Sequence, residues 1–151
     1  HAVESVLREY ARRGVFSGYS PAPGKAGVTT FRFVWLHLSP FTLVLNENTA
    51  TLTFKDVLPH VAERDDLARE VRAFVKGRSD AGLPAHRRVD AKRAEVACAV
   101  RRGNMSISLT VKRNQYAYGA RALVNLLHEV FVFVRIRDAE YLQQRYGMTE
   151  E

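Results

Sequence analysis

Cysteine is almost missing from this chain: Cys98 stands alone among 151 residues, so no intrachain disulfide can form. That excludes a disulfide-stapled secreted domain and points to a reducing, cytoplasmic compartment. A bilayer-length apolar run is missing too. The most apolar stretch, Ala122 to Val134, is broken by Asn125, His128 and Glu129 and reads as too short and too polar for a membrane span. No basic-then-apolar leader opens the sequence. The chain begins at His1 without an initiator Met, so it reads as a processed or excised chain, and His1 is given no functional weight.

Metal-ligand spacing is likewise lacking. His37, His60, His86 and His128 form no H-x-x-x-H or H-E-x-x-H pattern, and with no second cysteine neither a metal nor another cofactor is expected. Nor does a nucleophile with a base in reach stand out. Cys98 falls between Val96 and Val100 on the apolar face of a predicted hairpin, where a thiol is inert. His128 and Glu129 are helix neighbours that cannot face each other. Asp65 and Asp66 read as a helix N-cap, and nothing in the spacing of His86, Asp90 and Lys92 demands a site. The reading is non-enzymatic.

What is present is an ordinary globular balance, 46% hydrophobic and 26% charged, suited to a single α+β domain over residues 1–151. The charge is less ordinary. Lys and Arg number 23 against 16 Asp and Glu, a net +7. The window 86–121 holds nine cations against Asp90 and Glu95, which accounts for the whole excess.

Periodicity orders the elements. Val3, Val6, Leu7 and Tyr10 make a helical stripe that Gly14 stops. Residues 17–27 are rich in Gly and Pro but lack phosphate-loop spacing, so they read as a flexible loop. Residues 28–55 alternate as a three-stranded meander with turns at Ser39-Pro40 and 46–49. The tight first turn would pair Val34 with Leu45 and Leu36 with Leu43, and the second Leu43 with Leu52 and Phe41 with Phe54. A second helix starts near Asp65 or Asp66, carries Leu67, Val71, Phe74 and Val75, and stops at Gly77. Residues 83–90 read as an irregular strand weakened by Pro84. A hairpin then turns at Gly103-Asn104, pairing Val100 with Ile107, Cys98 with Leu109, Val96 with Val111, and Glu95 with Lys112. A long apolar helix covers 116–136. Asp138 caps a last short helix that Gly147 ends.

The predicted fold class is therefore α+β: helix, three-stranded antiparallel meander, helix, antiparallel hairpin of two or three strands, and C-terminal helices. That order resembles the fold of type III secretion chaperones and the related YbjN-like proteins. The likeness covers residues 2–136 and is closest at the hairpin 94–113 followed by the helix around Leu123-Val124-Asn125-Leu126-Leu127-His128-Glu129. It implies a non-enzymatic, homodimeric protein that presents apolar sheet and helix surface to a protein or peptide partner.

Two surfaces stand out as candidate sites. Phe31, Phe33 and Trp35, with His37, fall on the reverse face of the meander. A covering helix would make that face core, whereas an open face would receive an extended peptide or a second subunit. The other candidate is an anion or nucleic-acid patch of Arg87, Arg88, Arg93, Arg101, Arg102, Lys112 and Arg113, beside Tyr116 and Tyr118. Its cations divide between opposite faces and ends of the hairpin. The leading expectation is a protein- or peptide-interaction module. The alternative is a nucleic-acid-binding protein using the basic hairpin 86–121.

Overall fold

The computed structural model describes residues 1–147; the last four residues of the expected 1–151 domain lie outside the described residues. Helix α1 (Ala2–Arg12) buries the stripe Val3, Val6 and Leu7, and His1 Nδ1 accepts the Val3 N–H at 3.1 Å. His1 thus has a structural role, satisfying one orphan donor of the first turn.

The segment expected as a flexible loop instead contains strand β1 (Ser17–Pro23). It pairs with β2 (Val28–Trp35) at the margin of the sheet, where only one side of the backbone needs partners. Pro21 and Pro23 are tolerated there, and Gly18, at φ 59°, lies in the irregularity between Ser17 and Ser20. Strands β3 (Ser39–Asn46) and β4 (Thr51–Leu58) extend the meander to four strands. After α2 (Leu67–Gly77), the hairpin β5 (Ala94–Arg101) and β6 (Asn104–Val111) joins through β6, giving the antiparallel order β1-β2-β3-β4-β6-β5. Helices α3 (Tyr116–Arg137) and α4 (Ala139–Tyr146) complete the chain. The α+β class holds, with a six-stranded sheet in place of a separate meander and hairpin. Residues 83–90 form no strand: Ala85–Arg87 is a 3-10 turn, and the Val89 N–H bonds the Arg78 carbonyl at 2.8 Å.

The first turn differs from its expected position, with a large consequence. It is made by Leu36, His37 and Leu38, at φ 35°, 56° and 58°, so Trp35 pairs with Ser39, Phe33 with Phe41 and Phe31 with Leu43. The shift is by an odd number of residues, which turns β2 over. Burying three aromatic side chains in place of Val34, Leu36 and Leu38 removes far more apolar area from water, and outweighs left-handed backbone costs of about 1–2 kcal/mol per residue. Leu38 is left 85% exposed.

The other two registers slip by an even number, so their faces survive. Leu43 meets Phe54 and Leu45 meets Leu52. In the second hairpin Val100 meets Met105, Cys98 meets Ile107 and Val96 meets Leu109, with Arg102-Gly103 at the turn. Both turn residues have positive φ, 53° and 82°, the primed geometry that favours Gly at the second position. Glu95 accordingly faces Thr110, not Lys112.

The helices pack on one face of the sheet. Gly119 brings α3 down onto it: a Cβ there would lie 2.4 Å from Val111 Cγ1 and 3.3 Å from Leu52 Cδ1. Among the described residues α3 is the one helix long and apolar enough to cross a membrane, and half of its most apolar window is buried inside the protein. The helix end caps divide. Asp138 accepts the Tyr141 N–H and caps α4, whereas Asp66 makes no capping bond to α2 and pairs with Arg69 at 3.4 Å.

Candidate functional site

Phe31, Phe33 and Trp35 are 1%, 2% and 9% exposed, so these side chains are core and present no open face. Phe16 stacks on Phe33 at 4.0 Å, Trp35 lies 5.5 Å from Phe41, and Phe41 lies 5.8 Å from Phe131 of α3. The helix layer supplies the cover.

The seven basic residues do not form one patch. Arg101 and Arg102 sit at the hairpin tip, while Arg93 and Lys112 lie at its far end, roughly 23 Å away along β5. Several are occupied in holding the chain. Arg93 stacks over the Tyr118 ring at 3.9 Å and donates to Gln115 Oε1 from Nε and Nη2 at 3.1 and 2.8 Å. Lys112 Nζ donates to the Ala91 carbonyl at 2.7 Å, Arg88 Nη1 to the Ala81 carbonyl at 3.0 Å, and Arg87 Nε lies 3.7 Å from Glu129. Arg113 sits at φ 52° in the tight link into α3.

A different surface emerges at the sheet margin. The sheet has two edge strands, and they are unlike. β1 is blunted by Pro21, Pro23 and its irregular pairing. β5 has neither proline nor bulge. In an antiparallel pair alternate residues turn their backbone groups outward. The Cys98 carbonyl accepts Arg72 Nη1 at 2.9 Å and so faces outward, and Val96 and Val100 share its parity. Their side chains are half-buried under α2. The result is a groove of ≈ 490 Å³ between α2 and β5, floored by Val75, Ala94, Val96 and Cys98. Arg72, Lys76 and Lys112 line it against a single carboxylate, Glu95.

Sequence reasoning had Val96, Cys98 and Val100 on one face but missed the groove. Strand order decides which strand lies at an edge, and no local signal encodes it. Arg72 and Lys76 looked like ordinary helix-end cations. Burial pushes the Cys98 thiol up to about 11, with Arg72 opposing the shift, so the groove holds a thiol rather than a thiolate at neutral pH.

His86 and Glu129 line one cavity beside α3, while His128 is exposed on that helix and His37 lies in the β2–β3 turn. Among the described residues no three His, Cys, Asp or Glu side chains are grouped to hold a metal ion. Compared with known proteins, the chain matches no family model, no curated protein and no solved structure.

Proposed function

We propose that this chain is a non-enzymatic protein- or peptide-interaction module that works in the cytoplasm and takes an extended acidic segment as an added strand on β5. The carrying observation is the unblunted β5 edge, with the outward backbone of Val96 and Val100 beside an apolar groove. An added strand satisfies the outward donors and acceptors of Val96 and Val100, displaces Arg72 from the Cys98 carbonyl, and sends alternate side chains into the groove. The charges of Arg72, Lys76 and Lys112, none of them paired with a carboxylate among the described residues although Lys112 also holds the Ala91 carbonyl, favour an acidic segment. Two copies meeting edge to edge would set these cations against each other. The second copy that a chaperone-like homodimer requires would therefore meet the opposite sheet face, whose central row Thr30, Val44, Thr53, Ser108 and Ala97 carries no charge. What supports the chaperone-like reading is the element order, with helix, meander, helix, hairpin and helix in sequence. The nucleic-acid alternative draws less support, because the basic residues lie at two separated places.

Fluorescence anisotropy with two labelled ten-residue peptides, alternating Glu-Val and alternating Lys-Val, tests this. The Glu-Val peptide should bind and weaken as salt rises, the Lys-Val peptide should not, and Val96→Pro should abolish binding by removing an outward donor. Equal binding of both peptides, or binding unchanged in Val96→Pro, contradicts the proposal.

A further inference from the structure

The long connection between α2 and β5 builds a second enclosure. It runs from Arg78 to Arg93 with a single 3-10 turn inside it. Connections beyond about 12–15 residues without regular structure are uncommon in small domains and often functional. This one is fixed in place over α3: the Val89 N–H bonds the Arg78 carbonyl at 2.8 Å, and the Asp90 N–H bonds Tyr118 Oη at 2.7 Å. Beneath it lies a cavity of ≈ 230 Å³.

The floor follows one stripe of α3, from Tyr118 through Ala122 and Leu126 to Glu129, at helical spacing. Val89 and Ala85 close the apolar side. Four arginines, Arg78, Arg87, Arg88 and Arg121, line the same small volume against the one carboxylate of Glu129. Arg78 at 2.5 Å and Arg87 at 3.7 Å share that carboxylate. Among the described residues Arg88 and Arg121 have no carboxylate partner: Arg88 gives Nη1 to the Ala81 carbonyl and keeps the rest of its fork, and the buried Nε of Arg78 has no acceptor. Two uncompensated guanidiniums beside an apolar wall match a doubly charged oxyanion attached to a small apolar body, because the planar fork fits phosphate oxygens two at a time.

We propose that this cavity binds a small phosphate monoester, with Arg88 and Arg121 on the phosphoryl group and Tyr118, Ala122 and Leu126 against its organic part. Isothermal titration with phenyl phosphate, benzoate and inorganic phosphate, on the wild type and on Arg88→Gln and Arg121→Gln, tests it. Phenyl phosphate should bind at least tenfold more tightly than either benzoate or inorganic phosphate. Each substitution should weaken it at least tenfold, and affinity should fall as pH drops through about 6, where the phosphate loses its second charge. Circular dichroism of the two variants checks that the fold is intact. Phenyl phosphate binding no tighter than inorganic phosphate, binding unchanged in both variants, or no saturable binding overturns the proposal.

Discussion

Arg64 grips both carboxylate oxygens of Asp138 across 74 intervening steps of sequence, Nε to Oδ2 at 2.9 Å and Nη2 to Oδ1 at 2.8 Å. Asp138 also accepts the Tyr141 N–H at 3.2 Å, so one residue ends α3 through its backbone N–H, caps α4 through its side chain, and ties both to the segment before α2. The Arg64 hydrogen bonds hold its carboxyl below the usual carboxylate range, with burial opposing.

A folded-state pKa below the unfolded one stabilises the protein above the unfolded value, about 3.9, and that stability is lost as pH falls through the folded pKa. Asp138→Asn should therefore show a flatter acid limb in urea melts taken between pH 6 and pH 3. Asp138→Ala, which also loses the cap, should cost about 1 kcal/mol more at neutral pH. Equal acid limbs in wild type and Asp138→Asn would show that the pair carries no linked stability.

The register of β2 makes opposite predictions for neighbouring residues. Phe33→Ala should destabilise by about 3–5 kcal/mol, whereas Leu38→Ser should stay within about 0.5 kcal/mol. His37→Gly should stabilise by several tenths to about 1 kcal/mol, because glycine relieves the left-handed backbone there. Chemical denaturation of the three variants measures all of this. A costly Leu38→Ser beside a cheap Phe33→Ala would restore the other register.

Close approach at Gly119 predicts that Gly119→Ala destabilises by about 1–3 kcal/mol, although alanine alone favours a helix by about 1 kcal/mol. The added methyl meets the stiff Val111 side chain. Combining it with Val111→Ala should recover part of the loss, which a thermal-melt double-mutant cycle would reveal. Strict additivity would place the strain elsewhere.

Much of this fold was legible in local pattern. The α1, α2 and α3 stripes, the Asp138 cap and the faces of the second hairpin follow from periodicity and from Gly103, which pins a primed turn near its true place. Where the reading failed, tertiary demand overrode local chemistry. Ser39-Pro40 looks like a turn, yet Leu36, His37 and Leu38 accept strained backbone so that Phe31, Phe33 and Trp35 reach the core. The Gly/Pro segment 17–23 looks like a loop, yet pairing at an edge needs few donors. The candidate site suffered most, because an edge strand is defined by the neighbour it lacks. Alternation puts Val96 and Cys98 on one face but carries no sign that α2 leaves a groove above them.

Amide hydrogen exchange on the β5 edge tests the central claim most directly. In the free chain the Val96, Cys98 and Val100 amides should exchange much faster than those of Ala97 and Ala99, which bond to β6. Adding the Glu-Val peptide should slow exchange at Val96, Cys98 and Val100 selectively. Protection appearing elsewhere, or outward amides already as slow as Ala97 and Ala99 in the free chain, would contradict strand addition at β5.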